Sequence, residues 1–442
     1  MAVDTVIVGE RRSGHVDDDS VADAVYRKVG WRLIPLLFCC YIVSYLDRVN
    51  VGFAKLQMLE NLQFSEAVYG FGAGIFFIGY FLCEVPSNII LYRVGARRWI
   101  ARIMVTWGLL SAATMFVRSP TSFYVLRLLL GAAEAGFFPG IILYLTSWYP
   151  AARRSKATSL FLAAIPFAGI LGGPLSGWTM QGMDGIYGQA GWQWLFLFQG
   201  VPTVVLGLVV WRYLDDRVEQ AGWLTSAEKE LVIREVGAER MNKSEPRFAG
   251  VLVNARVWLL AVIYFAFVSG LYGISFWLPT ILKEMGVKNA LNIGLLSAIP
   301  WTFGVVAMYI VAKSSDRRLE YRWHSAASAI VGAAGLVFSV MYRSDSTLAM
   351  AGLTVATIGI MSTLPIFWGM PTAFLGGAAA AAGIALINSI GNLSGFSAPY
   401  LIGLIKGATR STDAGMYMLA GLLVLGALLV LLFKPVRVSS LR

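Results

Sequence analysis

Apolar stretches of twenty or more residues recur along almost the whole chain, broken by short polar loops. About 20 mainly apolar residues in a helix cross the hydrocarbon core of a bilayer. The pattern predicts twelve such helices, near 31–53, 67–92, 98–117, 121–147, 156–180, 192–213, 256–282, 291–312, 323–342, 346–367, 372–405 and 413–433. Proline and glycine residues near 365–371 should break or kink the tenth. A longer polar stretch, 214–254, carries Asp215, Asp216, Glu228, Lys229, Glu230 and Arg234 and separates two six-helix bundles, 26–213 and 255–434. Residues 1–25 read as a disordered tail and 435–442 as a second tail. The first apolar run starts near Trp31 with no small-residue cleavage site after it, so no cleavable leader is expected. The fold class is therefore all-α and integral to a membrane.

Basic residues set the expected orientation. Arg93, Arg97, Arg98 and Arg102 follow the second helix, Arg153, Arg154 and Lys156 the fourth, and Lys313, Arg317, Arg318 and Arg322 the eighth, whereas Arg118 stands alone after the third. This alternation predicts that both termini and the central stretch face the cytoplasm of a cell membrane, a bacterial inner membrane by expectation.

Composition agrees with the pattern. Of 442 residues, 57% are hydrophobic and 14% charged, and mean hydropathy is +0.67. The formal charge of +11 would suggest nucleic acid in a soluble protein. Here the cations sit in alternate loops, where lipid headgroups are the expected partners. Cys39, Cys40 and Cys83 lie inside apolar runs, and His15 and His324 outside them, so neither a disulfide, a metal centre nor another cofactor is expected.

The halves echo each other. Leu91-Tyr-Arg-Val-Gly-Ala-Arg-Arg-Trp99 and Ser315-Asp-Arg-Arg-Leu-Glu-Tyr-Arg-Trp323 follow the second helix of each half, and align Arg93 with Arg317, Arg98 with Arg322 and Trp99 with Trp323. Repeated bundles suit a carrier that rocks around a midplane site. In these features the chain resembles the major facilitator superfamily over its whole length. The acidic position that the resemblance implies in the loop after the second helix is occupied by Tyr92 in the first half, whereas Asp316 keeps it in the second. More narrowly, Tyr45-Leu-Asp-Arg-Val-Asn50, Glu84-Val-Pro-Ser-Asn88, Arg127-Leu-Leu-Leu-Gly-Ala-Ala-Glu-Ala-Gly136 and Gly383-Ile-Ala-Leu-Ile-Asn-Ser-Ile-Gly-Asn392 resemble the anion:cation symporter family. That family includes bacterial permeases for phthalate, tartrate and sugar acids, and vertebrate sialin.

A charge at a helix centre costs about 2.5–3.5 kcal/mol on the insertion scale, so ionisable residues deep in spans face the interior, pair, or line a wet cavity. The first half holds Asp47, Arg48, Glu84, Arg127 and Glu134 at such depth, and the second half holds none. Arg127 and Glu134 are seven residues apart and share a helix face with Gly131, which leaves room for another helix or a substrate. Depth permits either an Asp47–Arg127 or an Arg48–Glu134 pairing. A static network stapling two helices is one reading; carboxylates that gain and lose protons as a chamber reorients is the other. Burial disfavours the charged form of a carboxylate and a neighbouring guanidinium favours it, so an arriving anion can shift the balance.

The resemblance implies proton exchange at Asp47 and Glu134, and a grip on a substrate carboxylate by Arg48, whose planar fork suits bidentate binding. Tyr45, Tyr80, Arg127, Tyr272, Ser275, Trp277, Asn388 and Asn392 complete the candidate binding set. Asn388 and Asn392 share a face, where they can contact a substrate or form an ordinary interhelical bond. Glu84, Arg97, Arg98, Asp316 and Arg322 are candidates for a cytoplasmic gate, Glu84 equally for a fixed loop anchor. The resemblance implies a glutamine in the fifth helix of sugar-acid carriers. The apolar Ala163-Ala-Ile-Pro-Phe-Ala168 stands there instead, which favours a less hydroxylated or aromatic carboxylate. The expected function is proton-coupled uptake of a small organic anion by a monomer. Anion exchange, Na⁺ coupling and a non-transporting receptor are the alternatives, and no nucleophile–base set suggests an enzyme.

Overall fold

The computed structural model describes residues 10–240, 254–318, 320–374 and 377–433. Helices account for nearly all of them. In chain order they are α1 (Glu10–Val49), α2 (Val51–Leu62), α3 (Glu66–Val94), α4 (Ala96–Ala113), α5 (Pro120–Glu134), α6 (Phe137–Thr146), α7 (Ala151–Leu162), α8 (Ala164–Gly182) and α9 (Gly191–Tyr213). The short α10 (Ser226–Arg240) follows in the central stretch, then α11 (Ala255–Glu284), α12 (Ala290–Arg318), α13 (Arg322–Met341), α14 (Ser346–Phe374), α15 (Gly377–Thr409) and α16 (Asp413–Leu432). Eleven runs among the described residues are long and apolar enough to span a bilayer, and α15, 33 residues long, is the twelfth segment.

The first span is longer than its apolar core suggests. Residues 1–25 do not form the expected disordered tail where they are described: α1 begins at Glu10, with Ala22 and Val25 buried. At the other end, Asn50 keeps helical torsions, and its carbonyl accepts from Ala54 N at 2.9 Å. The rod therefore continues to Leu62 instead of stopping near residue 53, and Lys55 rides inside the span. Asp47 and Arg48 consequently sit at the middle of the run from Trp31 to Leu62. Pro365 and Pro371 are both absorbed within α14, so the tenth helix is not broken there. Residues 1–9 and 434–442 lie outside the described residues.

The fourth span does break. Gly136 has φ +86°, and a Cβ there would approach Ser87 Oγ to 2.3 Å. Only glycine meets both demands. The break ends α5 at Glu134, which frees the backbone around a carboxylate buried to 1% exposure. Between the first-half helices, α3 and α5 meet through backbone. A Cβ on Gly131 would lie 1.9 Å from the Phe76 carbonyl oxygen. The room beside Gly131 is thus taken by a helix.

The two halves meet along α2–α11, α3–α15 and α8–α12. Small residues allow this: a Cβ on Gly173 would come within 2.4 Å of Gly294 O. These close approaches lie toward the end remote from 214–254. At the other end, Phe81, Leu82, Val85 and Ile89 of α3 are exposed, whereas Gly70 and Gly74 of the same helix pack against α15. The seam is shut at the far end and parted at the end bearing the central stretch. There, α10 is held against α1 by Lys28–Glu228 at 2.8 Å, and that hydrogen bond holds the Glu228 carboxyl below its ordinary range.

Gly131→Val should drive α3 from α5. Overpacking of this kind costs ~1–3 kcal/mol or more, and the variant is expected to show a clearly lowered melting temperature in detergent, with unchanged melting counting against this packing.

Candidate functional site

Adjacent residues on a helix point about 100° apart, and α1 uses this to send Asp47 and Arg48 to different places. Arg48 faces the seam between the halves. Its Nη2 donates to Glu134 Oε1 at 2.6 Å, and Ser44, one turn earlier, donates to the same oxygen at 2.8 Å. The guanidinium lies 5.2 Å from the Tyr80 ring centroid and 5.5 Å from that of Phe76. Cation–π attraction of this kind partly replaces lost hydration. The pair is not saturated: Arg48 Nε and Glu134 Oε2 are buried without a hydrogen-bond partner among the described residues. An anion with two oxygens would complete the edge formed by Nε and Nη2.

Second-half residues close the same space. Ser275 donates to Leu271 O at 2.7 Å, so its contact with the Tyr45 hydroxyl, 3.3 Å away, has Tyr45 as donor. Tyr272 donates to Asn392 Oδ1 at 3.3 Å, and its ring meets that of Phe77 at 4.6 Å. Tyr45, Arg48, Tyr80, Glu134, Tyr272, Ser275 and Asn392 are thus brought together near the middle of the spans. Asn388, one turn along α15, is partly buried.

Asp47 goes elsewhere. At 1% exposure it points into the first bundle, where Oδ2 accepts from Trp107 Nε1 at 2.6 Å and Thr203 Oγ1 at 3.3 Å. Oδ1 accepts from Ser111 Oγ at 2.7 Å and Asn50 Nδ2 at 3.4 Å. Sequence reasoning missed this cradle. Its signal was faint: Trp107 and Ser111 are four apart and share a face of α4. A polar chain continues from Asn50 to Gln199 at 2.7 Å and from Gln199 to Ser176 at 3.4 Å. Ser176 lines a small cavity at the seam with Ser275, Ser297 and Trp301.

Arg127 is also apart from the Arg48 cluster. Fully buried, it donates to the carbonyls of Gly72 and Ala73 at 3.3 and 3.4 Å and lies 5.0 Å from the Phe76 ring. Of the two pairings depth allowed, Arg48–Glu134 is the one present. Trp277 lies toward the far end, beneath the Lys55 ammonium at 3.5 Å. Among the described residues no ion pair engages Glu84. Arg97 instead joins Asp216, which accepts from its backbone N–H at 2.8 Å. Arg98 and Asp316 are exposed, and Arg322 donates to Val430 O and Leu431 O at the end of α16. Arg97 is thereby anchored to the central stretch and Arg322 within its own half.

Comparison with known proteins agrees with this architecture. Residues 37–399 match the model of the Major Facilitator Superfamily. An Agrobacterium vitis protein with the name "Putative tartrate transporter" is 49% identical, over 96% of this chain and 94% of its own. The inner membrane transport protein RhmT of Escherichia coli is 37% identical, over 93% and 95%. Among solved structures, a bacterial homolog of the human lysosomal transporter Spinster aligns with a TM-score of 0.76 at 14% identity, covering 90% of this chain and 96% of its own. The chain is therefore a multi-pass membrane transporter of the Major Facilitator Superfamily, with relatives in its anion:cation symporter group.

Proposed function

We propose that this protein carries a small organic anion, a mono- or dicarboxylate, into the cell together with protons by alternating access. Both termini and the central stretch face the cytoplasm of a bacterial inner membrane, and a monomer suffices. The observation that carries this reading is the Arg48–Glu134 pair, 2.6 Å apart, with a free edge on each partner. A permanent staple would gain most from full hydrogen bonding. An incompletely paired guanidinium is instead ready for a second carboxylate.

The cycle follows from that competition. While Glu134 is ionised it holds Nη2 of Arg48. A proton on Glu134 weakens its claim, and the substrate carboxylate takes Nε and Nη2 side-on. Tyr80, Tyr272, Asn388 and Asn392 orient the rest of the molecule. Asp47 takes the second role of proton exchange from inside the first bundle, with Ser111 and Thr203 as hydroxyls that can turn from donor to acceptor when it is protonated. The names of relatives support the substrate class: one is named for tartrate.

Glu134→Gln and Asp47→Asn should each abolish uptake against a gradient in proteoliposomes while sparing exchange of substrate across the membrane. Equal loss of both activities, or uptake that follows an imposed Na⁺ gradient and ignores a pH gradient, would overturn the assignment. Arg48→Lys keeps the charge but loses the fork. Hydrogen bonds to charged groups are worth ~1.5–3 kcal/mol, so substrate affinity should fall by roughly ten- to a hundredfold, read as the shift in half-saturation of exchange.

A further inference from the structure

The far end of the seam carries charges that the central site does not use. Lys55, at 3% exposure, lies 2.7 Å from Glu66 Oε2, an approach off the axis of a hydrogen bond. The other oxygen of Glu66 is 2.6 Å from Lys406 of the second half. Lys406 in turn pairs with Glu284 at 2.9 Å, and Thr412 donates to the remaining oxygen of Glu284 at 2.6 Å. Beneath this row Trp277 of α11 presents its ring to Lys55 at 3.5 Å and to Lys406 at 5.6 Å. Nearby, Lys283 donates to Leu56 O at 2.9 Å.

The order Lys55, Glu66, Lys406, Glu284 alternates in sign and sums to zero. Its first two members belong to the first half and its last two to the second. Within this row the bond that crosses between halves is Lys406–Glu66, and beside it Lys283 bonds to Leu56 O and Tyr69 to Phe276 O across the same seam. Each half retains a complete lysine–carboxylate pair if those bonds part. An isolated charge left at a buried seam would be costly, and this arrangement leaves none.

We propose that Lys55, Glu66, Lys406 and Glu284 form the gate that closes the far end, and that it opens by division into two neutral pairs, Lys55–Glu66 and Lys406–Glu284. Lys55 also leaves the face of Trp277, so the second half sheds a cation–π contact as it swings away. Below the gate lies the small cavity bounded by Ser176, Ser275, Ser297 and Trp301. Opening exposes that cavity first. The inference rests on the alternating-access reading for its meaning, but its test reads conformation and not uptake.

With Cys39, Cys40 and Cys83 replaced by serine, Ser297→Cys places a reporter under the gate. A membrane-impermeant maleimide is then added to the far face of oriented vesicles. Lys406→Met removes the cross-bundle charge while leaving Lys55–Glu66 intact. It should raise the labelling rate about tenfold, equivalent to ~1.4 kcal/mol. Glu66→Gln should do the same, and the double variant should label no faster than the quicker single one, because both remove the same cross-half bond, Lys406–Glu66. Lys28→Met at the opposite end should change nothing. Unaltered labelling in Lys406→Met, multiplicative rates in the double variant, or equal acceleration by Lys28→Met would each overturn the proposal. If Glu66→Gln fails to fold, Lys406→Met decides alone. Failure of uptake with every carboxylate tried would refute the substrate assignment and leave the labelling result standing.

Discussion

Everything at the centre of this transporter depends on keeping an ion pair inside an apolar protein. Glu134 is almost fully buried and Arg48 nearly so. Removing two charges from water costs several kcal/mol per ion before their attraction is counted. The fold compensates with aromatic faces around the guanidinium, the Ser44 hydroxyl and the broken helix at Gly136. It stops short of full satisfaction at Arg48 Nε and Glu134 Oε2. In the proposed cycle that residual demand gives a substrate carboxylate something to gain at this place.

Asp47 complicates a simple picture of clustered charges. It is one residue from Arg48 yet turned into the first bundle, where four donors converge on it. α1 therefore connects two polar environments, the Asp47 cradle and the Arg48–Glu134 pair. In the proposed cycle a change of charge at Asp47 alters how tightly α4 and α9 grip α1, and Arg48 moves with the same helix. In the proposed cycle this mechanical link, together with the Asn50–Gln199–Ser176 chain, joins the first bundle's interior to the seam.

The sequence made the spans legible because the bilayer imposes length and apolarity on each one independently. It also made the buried ionisable residues legible, since charge inside a span stands out against leucine and alanine. What it hid were matters of direction. Helical spacing placed Arg127 and Glu134 on one face, but did not disclose that Arg127 turns to the carbonyls of α3. Nor did it disclose that Trp277 faces the far end. Lys55 was overlooked because hydropathy falls after residue 53 while the helix runs on to Leu62. The early start of α1 escaped for the same reason: acidic residues 17–19 lower hydropathy without preventing helix formation. Pro365 and Pro371 pointed to a break or a kink, and α14 runs unbroken through both.

A division of labour follows from where each pair sits. Arg48 and Glu134 both belong to the first half, so rocking of the bundles does not separate them; in the proposed cycle a proton or a competing anion does. Glu66 and Lys406 belong to opposite halves, so they respond to rocking and ignore the substrate. A carrier needs both kinds of bond and a mechanical connection between them. Near Arg48 that connection runs through Tyr45 against Ser275 and Phe77 against Tyr272, which join the halves within a turn or two of the charged pair. Displacing Glu134 from Arg48 disturbs the walls on which those contacts stand. In the proposed cycle the energy of binding is thereby delivered to the seam itself, and the far-end charges, arranged to part as neutral pairs, offer it little resistance.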